Sequence, residues 1–348
     1  MSAPLARVTR ADREAAEDAL APLATRSARS QGRKRPEEPD AYRTAFERDR
    51  DRILHSKAFR RLKHKTQVFL NPEGDHYVTR LTHALQVTQV ARALAKALGL
   101  NEVLAEAIAL GHDVGHTPFG HTGEDALEPY FAQGWHHAAQ GVRIYEVLED
   151  CNLTWEVRDG IRAHTWKIEP PPATPEGLCV RFADRIAYLT HDALDALRAG
   201  VLAPGDLPAA ARKHLGAPGT QWIGRMIHAV VEHSAARGAV AMAPETLAVM
   251  RELRAFMFER VYQAGENAQR KGAAIAVIRQ LMDHHLAHPE QIPATYRDTD
   301  ADITTQAADY VAGMTDRFAL ATHDALVRPR LFDVPPLPGD PRPGTGIP

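Results

Sequence analysis

Two cysteines, Cys151 and Cys179, stand in 348 residues. That excludes a disulfide framework and a four-cysteine zinc site, and a reducing cytoplasm is the natural compartment. No run approaches the ~18 apolar residues that a membrane helix needs. The opening MSAPLARVTRADREAAEDAL also lacks the uninterrupted apolar stretch of a secretory leader. A protein neither secreted nor membrane-spanning is expected. The formal charge is −2, so the molecule as a whole has no electrostatic reason to adhere to nucleic acid or to an anionic membrane. No period of about 20–50 residues repeats. Strand-like alternation with hairpin turns is hardly visible, which leaves an all-α class.

At 44% hydrophobic the chain can bury a substantial core. Residues 1–40 end in TRSARSQGRKRPEEPD, nearly free of large apolar groups, and are expected to form a mobile arm. Residues 41–200 read as a first helical body. In LTHALQVTQVARALAKALG (81–99), Leu81, Leu85, Val87, Leu94 and Leu98 recur near helical spacing and Gly99 stops the helix. Asn101 caps the next one, NEVLAEAIALG. Further helices are expected at 136–149, 154–165 and 178–199, with EPPPATPE (169–176) a proline-broken loop. A connection over 202–220 leads to a second helical region, 201–330, with helices at about 221–237, 244–271 and 302–322 and packed on the first body. The tail, 331–348, is too rich in proline and glycine to pack as a helix or central strand.

The chemistry concentrates in ALGHDVGHTPFGHTGE, residues 109–124, directly after an apolar helical run. Adjacent residues of a helix point about 100° apart, so His112 and Asp113 can meet one ion only where the helix stops. Gly111 and Gly115 flank them and permit a close approach. One helix end cannot complete a coordination shell. His83 in TRLTHALQV and Asp184 in RFADRIAYLTHD are polar residues in partly apolar helical segments and need buried partners. His83, His112, Asp113 and Asp184 together offer two imidazoles and two carboxylates. Such a set suits manganese, iron, cobalt, zinc or, less comfortably, magnesium.

The order His83, His112-Asp113, Asp184 matches the H…HD…D signature of HD-domain phosphohydrolases. The surrounding words RDRDRILHSKAFRRLKHKTQVF, EGDHYVTRLTHALQV, GHDVGHTPFGHTGE, HHAAQ and ADRIAYLTHD, with DYVAGMTDRFA (309–319) near the end, resemble the deoxyguanosinetriphosphate triphosphohydrolase family. The resemblance implies an HD-domain helical bundle over 41–200. It implies a divalent metal at those four ligands and hydrolysis of a deoxynucleoside triphosphate to deoxynucleoside and tripolyphosphate. It places His116, His121, Glu124 and His137 at catalytic positions, His121 handling the proton and Glu124, one helical turn on, orienting it. The family's usual Asn stands where this chain has Ala138, so His136 and His137 both remain candidates. Arg80 and Arg185 match phosphate contacts, and Gln67, Tyr188 and Asp192 match positions near the sugar. Relatives are ring-like homo-oligomers, hexamers or tetramers, some controlled by a second nucleotide, and the same is expected here.

Plainer readings stand beside these. His55, His64, His214, His228 and His233 are structural or exposed histidines. Asp184 could merely pair with Arg181 or Arg185. Arg60, Arg61, Lys63 and Lys65 form a solvated basic face, with effector phosphates or a nucleic-acid strand as the functional alternatives. An HD-type phosphodiesterase or 5′-nucleotidase, and a non-catalytic nucleotide sensor, are the competing functions.

Overall fold

The computed structural model describes residues 5–67, 78–262, 266–297 and 299–327. The tail 331–348 and part of the EGDHYVTR stretch lie outside the described residues. The all-α expectation holds: among the described residues there are sixteen α-helices and two isolated bridges, but no extended strand. In chain order these are α1 (Arg10–Ala16), α2 (Ala45–His55), α3 (Lys57–Arg61), α4 (Arg80–Ala97), α5 (Glu102–Gly111), α6 (His121–Leu127), α7 (His137–Arg143) and α8 (Trp155–Ala163). There follow α9 (Pro175–Arg198), α10 (Ala209–Leu215), α11 (Thr220–Arg237), α12 (Pro244–Met257), α13 (Glu266–Ala287), α14 (Ala294–Arg297), α15 (Ile303–Ala312) and α16 (Asp316–Val327). Among them no helix is long and apolar enough to cross a membrane.

The centre is α4 packed against α5 and α9. The face that α4 buries carries His83, Ala84, Val87, Thr88, Ala91, Leu94 and Ala95, spaced by three and four residues. Leu85, expected on the apolar side, is 52% exposed. The small alanines decide this, because they allow α5 and α9 a closer approach than leucine would. Gly99, at φ +65, ends α4. Asn101 Oδ1 accepts the amides of Val103 and Leu104 at 3.2 Å and starts α5. Thr174 caps α9, whose first residue is Pro175.

The helices divide between two apolar clusters. One joins side chains from α2, α4, α5, α8, α9, α11 and α12. The other joins Phe119, Ala126 and Leu127 to α13, α15 and α16. Several expected boundaries change. The helix placed at 244–271 is α12, one π-helical turn (Phe258–Tyr262) and then α13, which runs on to Ala287. Residues 302–322 break near Gly313 into α15 and α16, and the 202–220 connection contains α10.

The mobile arm is the main correction. Residues 9–35 lie along the body, held mainly by buried carboxylates, with only Leu20 and Ala24 packed on the first apolar cluster. Glu176 accepts from the Thr25 amide and hydroxyl at 2.9 and 2.7 Å. Glu156 accepts from Ser30 and the Gln31 amide, both at 2.7 Å. Asp49, fully buried, pairs with Arg33 and accepts from the Thr154 amide and hydroxyl. A composition-based reading cannot see partners of this kind, because they lie 16 to 151 residues away in sequence.

The Arg33→Ala variant should therefore lose about 3–5 kcal/mol, the usual cost of stranding one member of a buried ion pair. Urea unfolding measures it. An unchanged midpoint would mean that the segment does not hold the body.

Candidate active site and metal centre

Helix α5 stops at Gly111 with His112 as its C-cap, so the next residues turn toward α4 and α9. The turn sits very close to α7. A Cβ on Gly115 would lie 2.0 Å from the His137 carbonyl oxygen and 2.4 Å from the Gly141 amide nitrogen. Only glycine fits there. The contact brings the His112–His116 turn onto the helix that carries His137.

His112 Nδ1 lies 2.6 Å from the Ala109 carbonyl oxygen. A carbonyl only accepts, so Nδ1 carries the proton and Nε2 presents a lone pair. That Nε2 is buried without a hydrogen-bond partner, 3.3 Å from Asp113 Oδ1 and 3.8 Å from Asp184 Oδ1. His83 Nε2 lies 3.1 Å from Asp184 Oδ1 and 3.9 Å from Asp113 Oδ2. A buried lone pair facing two carboxylates is repulsive unless a cation stands between them. The donor set thus fits a divalent ion, with the backbone-anchored Nδ1 fixing the tautomer as in metal-binding histidines. Burial alone would raise the pKa of Asp113, but His112, His116 and Arg80 hold it well below the usual carboxylate range. Burial likewise opposes ionisation of Asp184, and the hydrogen bond with His83 overcomes it. Arg181 turns away toward Trp166, so the simple Asp184–Arg181 pair does not form.

His164 is a site residue that sequence reasoning missed. Its Nδ1 is 2.8 Å from the Ile161 carbonyl, the same anchoring as at His112. Its Nε2 is 3.2 Å from His137 Nε2, and its ring is 5.0 Å from that of His112. His112, Asp113 and His164 together bring three donor atoms within 4.8 Å of one another.

A second cluster gathers on Glu124. Its Oε1 is 2.8 Å from His137 Nδ1 and 3.1 Å from His121 Nδ1. His116 Nδ1 lies 2.7 Å from the same oxygen, off the direction of a hydrogen bond. His116 and His137 stack at 3.8 Å. Burial, with Arg80 nearby, pushes His116 down to about 3. Burial pushes His137 down to about 4 against the pull of Glu124. These four side chains also meet the distances of a metal donor set. The Nδ1 atoms of His121 and His137 converge on a carboxylate, however, which favours protons on those nitrogens and a hydrogen-bonded cluster. His121 is the one solvent-accessible member, its side chain 68% exposed. Of the pair left open at 136–137, it is His137 that enters.

Both clusters open into a cavity of about 310 Å³. Gln67, Tyr188 and Asp192 line it, Gln67 Oε1 without a partner. Asp184, Tyr188 and Asp192 recur every four residues of α9 and share a face. Burial pushes Asp192 up to about 7, while the Tyr262 hydroxyl donates to it at 2.5 Å. Arg185 lies 3.9 Å over the Trp166 ring, its Nε unpartnered, and faces the cavity. Arg80 behaves differently from a free phosphate contact. It is 2% exposed and its guanidinium donates to Asp113 at 2.8 Å. Tyr262, Arg254, Lys167 and Lys271 add cavity-lining groups that no motif pointed to. The basic run also needs correction, since Lys65 is buried and its Nζ donates to the carbonyls of His116 and Ala312.

Comparison with known proteins adds independent findings. Residues 80–189 match the HD domain and residues 240–325 the phosphohydrolase-associated domain. A deoxyguanosinetriphosphate triphosphohydrolase-like protein of Caldanaerobacter subterraneus is 46% identical, over 89% of this chain and 93% of its own. One from Desulfatibacillum aliphaticivorans is 44% identical, over 90% and 95%. One from Cereibacter sphaeroides is 40% identical, over 88% and 99%. A solved structure of a hypothetical protein from Aquifex aeolicus aligns at 20% identity over 79% of this chain and 67% of that one. Its TM-score of 0.46 is too low to carry an argument.

Gly115→Ala should cost about 1–3 kcal/mol through overpacking and push α7 off the turn. Thermal unfolding and turnover are the measurements. A variant with wild-type values of both would contradict the backbone contact described here.

Proposed function

The chain belongs to the deoxyguanosinetriphosphate triphosphohydrolase-like family of HD-domain phosphohydrolases, and from that premise we propose that it cleaves deoxynucleoside triphosphates into deoxynucleoside and tripolyphosphate. The observation that carries this reading is the single face of α9, where Asp184, Tyr188 and Asp192 look into the cavity that His121 also lines. With Gln67, Tyr188 and Asp192 holding the deoxyribose, the phosphate next to the sugar falls between His121 and the donors His83, His112, Asp113 and Asp184. A divalent ion at those donors supplies Lewis-acid polarisation of a phosphate oxygen; the mixed nitrogen and oxygen set admits manganese, iron, cobalt, zinc or magnesium.

The chain's own groups do the rest. Attack by water on the α-phosphorus breaks the bond to the 5′-oxygen, which leaves with the deoxynucleoside and needs a proton. His121, with Nδ1 turned to Glu124, keeps Nε2 for that proton, and Glu124 stabilises the ring when it is charged. Arg185 faces the cavity with an unused Nε and offers a planar cation to the phosphates. Arg80 acts on them through Asp113 and by its charge. Lys167, Arg254 and Lys271 surround the remaining space, as a ligand with about four negative charges requires. Tyr188 packed under the sugar leaves no room for a 2′-hydroxyl, which favours deoxyribonucleotides. A homo-oligomer, hexameric or tetrameric, with a second nucleotide as effector and a cytoplasmic location, completes the proposal.

Phosphorus NMR of a dGTP reaction tests the bond that breaks. Deoxyguanosine and intact tripolyphosphate in equal amounts are expected, with oxygen from labelled water only in the tripolyphosphate. Pyrophosphate with dGMP, or orthophosphate with dGDP, would refute the placement of sugar and metal. Metal retention gives a second check. His112→Ala should bind far less divalent metal by elemental analysis while keeping its helical circular dichroism, since His112 stands at the end of α5 and its buried ring packs on other imidazoles. Full metal occupancy in that variant would exclude His112 as a ligand.

A further inference from the structure

The stretch DYVAGMTDRFA, residues 309–319, supplies no side chain to the cavity wall, yet two of its carboxylates point at the segments that build that wall. Asp316 opens α16. Its Oδ1 accepts the Phe119 amide at 3.0 Å. Its Oδ2 accepts the Thr66 amide at 2.9 Å and the Thr66 hydroxyl as well. One carboxylate therefore joins two separate parts of the site, the residue before Gln67 and the residue two before His121.

The segment before His121 needs such a hold. Phe119 sits at φ +62 and Gly120 at φ +59. A bulky aromatic residue in that region is strained and persists only where its surroundings over-determine it. Two restraints meet at Phe119: the ring is buried in the cluster formed with α13, α15 and α16, and the amide is bound by Asp316. The neighbouring histidine segments are tied to the same helices. Lys65 Nζ bridges the carbonyls of His116 and Ala312. Asp309 on α15 accepts from Gln140 at 2.8 Å and from Arg143 at 2.7 and 2.9 Å, on the helix that carries His137. By contrast, His83 and Asp184 stand on α4 and α9 in the other apolar cluster, and His112 caps α5.

We propose that Asp316 is a positioning residue for turnover, holding the strained Phe119–Gly120 turn so that His121 faces the substrate. The proposal rests on the nucleotide reading above for its kinetic consequence, though not for its structural one.

The test compares Asp316→Asn with Asp302→Ala. Asn keeps the shape but sets an NH2 against a donor. Asp302 caps α15 through Thr305 at 3.1 Å, away from the site, so its loss reports the effect of weakening the same unit without touching the turn. Asp316→Asn should lower kcat for dGTP at least tenfold with divalent metal content unchanged, and should speed amide exchange over 117–122. Asp302→Ala should keep kcat within twofold and leave that exchange unchanged. Unaltered exchange over 117–122 in Asp316→Asn overturns the proposal. So does unaltered kcat, and so does an equal loss in Asp302→Ala, which would mean a merely structural role. If the wild-type protein hydrolyses no deoxynucleoside triphosphate, the nucleotide reading falls, and the exchange comparison alone decides the tether.

Discussion

A carboxylate taken out of water stays ionised only if cations or donors surround it, and this requirement arranges much of the chain. Asp113 draws Arg80 and His116 to one point. Glu124 gathers His116, His121 and His137. Asp49, Glu156 and Glu176 secure the N-terminal segment, while Asp309 and Asp316 fasten the last helices to the site. Each of these groups costs several kcal/mol to bury alone, so each contact is compulsory once the apolar clusters have formed. Segments far apart in sequence are thereby placed to within a hydrogen bond.

This explains which parts of the protein could be read in advance. Helical spacing, the Asn101 cap and the stop at Gly99 are local, and they appear as the sequence implies. That His83, His112, Asp113 and Asp184 come together was legible in the H…HD…D order and not in any one of them, since a lone histidine on a helix is usually structural. His164 was not, because it follows an ordinary amphipathic helix and only the fold brings it to His137. Tyr262 reaches Asp192 from a π-helical turn, which has no periodicity to recognise. Lys65 looked like one more member of a solvated basic run. Its burial follows from two backbone carbonyls on other segments, neither of them visible in FRRLKHKTQ. Residues 9–35 misled for the same reason, since low apolar content predicts disorder only when no buried acid is waiting for the chain.

The two apolar clusters give the site a division of labour. Helices α4, α5 and α9 belong to one and present the donors suited to a metal. Phe119, α13, α15 and α16 belong to the other, and fix the turn and the helix start that present His121 and His137. Gly115 lets the His112–His116 turn touch α7 directly, with no side chain between them.

Helix α9 adds a ruler to this arrangement. At 1.5 Å per residue, Tyr188 and Asp192 stand ~6 and ~12 Å along the axis from Asp184, and a helix packed in a core does not stretch. Under the nucleotide proposal, a sugar held by Tyr188 and Asp192 would be tied at a fixed distance from the metal donors. A ligand whose sugar sat farther away would have to give up either Asp192 or the metal. Under the nucleotide proposal this fixed spacing would restrict reaction to one phosphate, and the others would extend past it among the basic groups Arg185, Lys167, Arg254 and Lys271 that line the cavity.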